Sequence, residues 1–65
     1  MRCEFIDDDI VLNQDFSLKK NKCYNIVVDI TEPGVDIVEI IAVDFVLYKI
    51  PYPKNTWKDH WRIIH

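Results

Sequence analysis

Cys23-Tyr24-Asn25-Ile26-Val27-Val28-Asp29-Ile30-Thr31-Glu32-Pro33-Gly34-Val35-Asp36-Ile37-Val38-Glu39-Ile40-Ile41-Ala42-Val43 is the stretch whose reading decides the fold. Tyr24, Ile26, Val28 and Ile30 recur at every second position with Asn25 and Asp29 between them, which is the period of a strand lying half-buried on a sheet. Thr31-Glu32-Pro33-Gly34 then breaks the pattern. Proline at the second turn position presets φ, and glycine at the third accepts the positive φ of a type II turn. From Val35 the chain re-enters a β-branched run. Ile37, Ile41 and Val43 fall on one face, interrupted by Glu39, while Val38, Ile40 and Ala42 fall on the other. A strand apolar on both faces is central in its sheet, or meets a partner on its second face.

Toward the N-terminus, Cys3 to Ile6 reads as a first strand, stopped by the acidic run Asp7-Asp8-Asp9, whose carboxylates repel one another and belong in a loop. Ile10-Val11-Leu12 is a second short apolar segment. Phe16-Ser17-Leu18 leads into the polar turn Lys19-Lys20-Asn21-Lys22. Toward the C-terminus, Asp44 punctuates the chain and Phe45 to Ile50 forms another strand, with Phe45 and Leu47 opposite Val46, Tyr48 and Ile50. Pro51-Tyr52-Pro53 is expected to end it, because proline cannot donate to a ladder. Residues 54–65 allow two readings. Trp57, Trp61 and Ile64 fit one helical face, with Thr56 and Asp59 spaced like a capping box. The favoured reading is a helical turn at Asn55 to Asp59 followed by a closing strand from Trp61 to Ile64. The fold expected is mostly β: a small antiparallel barrel of five or so short strands, with a short helical turn before the last.

A chain of 65 residues makes one domain, residues 1–65, and buries only about 60% of the surface its unfolded form exposes. Yet 49% of its residues are hydrophobic. That surplus predicts either a tightly filled barrel or a sheet that covers one face in an oligomer. A further functional reading is a structural homo-oligomer that pairs edge strands. The formal net charge of −3 argues against nucleic acid as the main ligand, since phosphate neutralisation usually calls for a basic surface. The start after Met1 is charged too early for a secretory leader, and no apolar run is long enough to span a membrane, so the expected location is cytoplasmic.

The chain resembles the small SH3-like barrel proteins of phages and prophages of low-GC bacteria. The resemblance is carried by the opening strand with its acidic run, Cys3-Glu4-Phe5-Ile6-Asp7-Asp8. It is carried also by the lysine turn feeding an alternating strand, Leu18 to Val28, and by Tyr52-Pro53-Lys54 before the aromatic Trp61. Two departures stand out: the lysine turn of that group usually carries Gly where this chain has Asn21, and the Gly of its later hairpin is absent around Asp44. The resemblance implies an SH3-like barrel from a mobile element. It implies no particular activity, but many such proteins bind host proteins, including defence systems. With the acidic hairpin, the apolar surplus and no catalytic chemistry, the expected function is a non-enzymatic protein-binding module that inhibits a host or defence protein.

No catalytic, cofactor or metal site is expected. Asp7-Asp8-Asp9 lacks the spacing, the Gly and the distal Glu of a calcium loop. His60 and His65 stand five apart, whereas helical metal pairs prefer three or four. Cys3 and Cys23 form no Cys-x-x-Cys motif and lie in apolar stretches, where free cysteines act as small hydrophobes. One glycine in the whole chain leaves no phosphate-cradling loop or oxyanion elbow.

Two sets of residues carry binding readings. Asp29, Glu32, Asp36, Glu39 and Asp44 occupy a segment without Lys or Arg and would form an acidic stripe on a hairpin, complementary to a basic groove on a host protein. The ordinary alternative is a solvated hairpin. Tyr52 and Trp57 would be aromatic anchors for that partner. The competing reading takes Lys54, Trp57, Lys58 and Arg62 as a stacking platform for single-stranded nucleic acid, against the ordinary one in which Trp57 and Trp61 plug the core.

Overall fold

The computed structural model describes residues 1–65 as seven strands and one short 3₁₀ turn. The strands are β1 (Arg2–Phe5), β2 (Ile10–Val11), β3 (Ser17–Leu18), β4 (Cys23–Asp29), β5 (Val35–Ala42), β6 (Phe45–Pro53) and β7 (Trp61–Ile63). β2 and β3 pair only with each other. The other five form one antiparallel sheet in the order β6-β5-β4-β1-β7. The both-sides-apolar β5 lies between β4 and β6, as its pattern predicts.

The inward face follows the alternation. Cys3 and Phe5 of β1, Ile26 of β4, and Val38 and Ile40 of β5 are buried together with Leu18, Trp57 and Trp61. Trp61 packs against Phe5 at 5.1 Å and Tyr24 at 6.0 Å between ring centroids, in the tilted and edge-on geometries aromatic rings prefer. Both tryptophans therefore fill the core. Thr56 makes no side-chain cap; its hydroxyl donates instead to the Pro53 carbonyl at 2.7 Å. The 3₁₀ turn spans only Trp57–Asp59, and Trp61 opens β7 opposite Phe5, so the single-turn-plus-strand reading replaces the helical one.

Three turns set the connections. Gly34 has φ 78°, the value a type II turn needs after Pro33. Asn21 has φ 66° in the lysine turn, a conformation Asn tolerates better than other side chains do. The β5–β6 hairpin turns through Val43 and Asp44, and there Val43 is held at φ 55°. A β-branched residue in this region is an outlier, since its Cβ crowds the following carbonyl.

Two expectations about β6 are corrected. Pro51 and Pro53 do not end the strand; they pair with Ile37 and Val35. β6 is an edge strand, where a missing N–H can face away from the ladder. Val46 does not share a face with Tyr48 and Ile50. A bulge shifts the register between Ile40 and Ile41, so Ile40 faces Tyr48 but Ile41 faces Val46. One unpaired residue inverts the side-chain alternation beyond it. Val46 thereby joins Ile41 on the outward face.

The sheet is not closed, because β6 and β7 share no ladder. Their side chains do meet. The Trp61 indole N–H donates to the Tyr52 hydroxyl at 3.0 Å. A flat five-stranded sheet would hold its edges about 19 Å apart, so this contact requires strong curling.

Candidate functional site

The five acidic residues expected to form one stripe are divided by strand parity. Glu39 lies in the centre of β5 facing outward, and Asp29 shares that face at the end of β4, opposite Ile37. Asp36 points the other way and is only 2% exposed. One of its oxygens accepts the Asn55 backbone N–H at 2.9 Å, while Oδ1 lies 3.1 Å from the Lys54 ammonium. Oδ1 meets that ammonium as an ion pair without well-aligned hydrogen-bond geometry. The Asn55 hydrogen bond chiefly, with help from Lys54, holds the Asp36 carboxyl below its ordinary range despite burial. Asp36 thus fastens the β6-to-3₁₀ connection to β5. The Asp29 carboxyl is lowered by the Thr31 hydroxyl and backbone N–H, at 2.7 and 3.0 Å, which knit the start of the β4–β5 turn. Glu32 is exposed in that turn, and Asp44 is exposed at the opposite end of the sheet.

The basic and aromatic set is dispersed as well. Trp57 is 8% exposed, too little to serve as an open stacking platform. It lines a cleft of about 300 Å³ with Ile30, Asp36, Lys54, Asn55 and Lys58. Lys54 is occupied by Asp36 and by the Ile30 carbonyl, at 3.1 Å from each. Lys58 lies 5.7 Å from the Trp57 ring centre, within cation–π range. Arg62 pairs with Glu4 on the outward side of β7, away from the cleft. Tyr52 is half-buried: its hydroxyl holds Trp61 and its ring stacks on His60 at 4.8 Å. His60 in turn meets Asp7 through Nδ1 at 2.5 Å. Burial of the Tyr52 phenol raises its pKa.

The acidic loop is engaged internally. Asp9 accepts the Lys20 backbone N–H at 2.7 Å and lies 3.7 Å from the Lys19 ammonium; Asp8 lies 3.5 Å from that of Lys20. Cys3 and Cys23 are free thiols on neighbouring strands. Cys3 pairs with the inward Tyr24, whereas Cys23 pairs with the outward Glu4, so the two sulfurs occupy opposite faces.

Exposed apolar side chains also stand at Val11, 81% exposed, and Ile30, 63%, but the longest run of them in sequence lies at a place the sequence did not single out. Around the β5–β6 tip, Val43 is 87% exposed, Phe45 60%, Leu47 42% and Val46 39%. The signal was present in outline, for a two-residue turn without glycine must force a side chain into the left-handed region. On the outward face below the tip, Val27, Glu39 and Lys49 form one row across β4, β5 and β6. Asn25, Ile41 and Val46 form the row nearer the tip, and Asp29, Ile37 and Pro51 the row farther from it. No helix in the chain is long and apolar enough to cross a membrane. The chain matches no family model, no curated protein and no solved structure.

Proposed function

We propose that this protein is a non-enzymatic binding module that docks on another protein through the tip of its β5–β6 hairpin. The observation that carries the reading is Val43, an apolar side chain 87% exposed on a backbone held at φ 55°. Strain of this kind persists only where surrounding structure imposes it, and it collects at sites of contact with ligands. Phe45 beside it, 60% exposed, supplies the large apolar anchor that interfaces favour. Asp44 between them adds the only formal charge of the tip, so the complementary surface is an apolar pocket with a basic rim.

Within the resemblance to small SH3-like phage proteins, the sheet is a barrel left open between β6 and β7. The partner is then a host or defence protein, and docking inhibits it. Glu32 and Asp29, at the far end of the sheet, contribute to the negative field that speeds encounter with a basic partner.

The experiment is capture from nuclease-treated host lysate with tagged wild type, Val43→Asp and Phe45→Ala proteins, each checked for native circular dichroism. One captured protein, lost with both folded variants and weakened by salt, supports the tip as the docking element. Capture unchanged by both variants overturns it. Recovery of nucleic acid from a parallel lysate left without nuclease, lost with Lys58→Ala, overturns it in favour of the cleft side.

A further inference from the structure

The outward face of β5 and β6 carries a charge pattern that is complementary to itself. Glu39 and Lys49 are direct cross-strand partners, and neither takes part in any of the ion pairs within the chain. Apolar pairs flank them on both sides: Ile41 with Val46 toward the tip, and Ile37 with Pro51 away from it. We propose that this face is the interface with a second copy of the chain, packed sheet on sheet about a two-fold axis that runs along the strands between β5 and β6. The inference goes beyond the tip reading and does not depend on it.

The geometry follows from the symmetry. A two-fold axis lying between the sheets along the strand direction places β5 of one copy over β6 of the other. Glu39 then faces the partner copy's residue 49, and Lys49 faces its residue 39, giving two ion pairs where one chain holds two unpaired charges. Ile41 falls over residue 46 and Ile37 over residue 51, so apolar pairs exclude water from both sides of the ionic row. Opposite charges inside such a border fix register and orientation more than they add affinity. The same operation keeps both hairpin tips at one end, which sets two copies of Val43 and Phe45 side by side.

The edges of the sheet argue for a face rather than an edge as the meeting place. β6 carries Pro51 and Pro53, which deny donors to an incoming strand, and β7 is only three residues long. The face has no such protection: Val27 is 49% exposed and Val46 39%.

The test is sedimentation equilibrium of the full chain from about 1 µM to about 1 mM, on wild type, Glu39→Lys, Lys49→Glu, the double charge swap in one chain, and an equimolar mixture of the two single variants. Wild type is expected to dimerise. Each single variant faces like charges twice across the axis and is expected to raise the dimer dissociation constant at least about tenfold. The mixture is expected to recover dimer as a heterodimer, because one chain then presents only lysines and the other only glutamates. Recovery by mixing cannot arise from repaired folding within a chain, and the double swap, which restores the cross-strand pair, guards against misfolded singles. A wild type that stays monomeric over the whole range overturns the proposal. So does a dimer indifferent to the single changes, or one that mixing does not restore. Val43 and Phe45 are untouched in every variant, so a monomer that still captures a partner through Phe45 removes the dimer and leaves the tip reading standing. A dimer whose tip variants capture as wild type does the reverse.

Discussion

Trp61 and Tyr52 join the two opposite edges of the sheet through one side-chain hydrogen bond of 3.0 Å. Trp61 opens β7 and Tyr52 lies near the end of β6, so the bond spans the gap that the backbone leaves open. Tyr52→Phe removes the acceptor and leaves a part-buried indole N–H without it. The expected cost is about 1–2 kcal/mol in urea unfolding. Trp61→Ala also empties the packing against Phe5 and Tyr24 and is expected to cost about 3–5 kcal/mol. Loss of that size takes most of the stability of so small a domain. A Tyr52→Phe protein as stable as wild type would show that curling is held by core packing alone.

Val43→Gly is expected to stabilise the fold by about 1 kcal/mol, because glycine accepts φ 55° without a Cβ clash and the relief exceeds its extra chain entropy. Partner capture through the tip should fall at the same time, since the side chain is gone. Thermal melting and capture therefore move in opposite directions. A variant both less stable and equally competent in capture contradicts the strain argument and the docking argument together.

Acid should weaken the fold through Asp36 and Asp29. Both carboxyls are held below their ordinary value of 3.8 in the folded chain. Unfolding therefore draws protons onto them as pH drops. Their stabilisation is complete above that ordinary value and is lost as pH falls through the lower folded values. Asp36→Asn keeps an acceptor for the Asn55 N–H but cannot titrate, so its melting temperature should vary less between about pH 5 and pH 2 than that of wild type. An unchanged pH profile would assign the acid sensitivity elsewhere.

Thiol titration should separate the cysteines. Cys3 is fully buried, and burial raises its thiol pKa, whereas Cys23 is partly exposed on the outward face. A thiol reagent is expected to modify one cysteine of the native protein promptly and the second only with unfolding. Mild oxidation should form no intramolecular bridge, because strand parity sets the two sulfurs on opposite sides of the sheet. Two fast thiols, or a native disulfide, would contradict the register of β1 and β4.

The alternation in β4, the Pro33-Gly34 turn and the two-sided apolarity of β5 were legible because each depends on neighbours within a few residues. The same locality explains the errors. Asp36 and Glu39 both look like surface acids in a run free of Lys and Arg. They are three residues apart, so a strand sends them to opposite faces, and Asp36 is tolerated inside only because Asn55 and Lys54 arrive from nineteen and eighteen residues away. Trp57 reads both as an anchor and as a core plug, and Tyr52 as an anchor. What settles them is the closing of the chain over the sheet.

The sequence by itself determined the strand-rich character, the β4–β5 turn and most of the core, since period and turn chemistry act through local sterics and side-chain direction. Only the tertiary structure decided that Pro51 and Pro53 lie within an edge strand and that a bulge turns Val46 outward. It alone set Val43 at an exposed, strained tip and aligned Glu39 with Lys49. Register between strands joins residues far apart in the chain, and a single unpaired residue in that register reverses which face every later side chain meets.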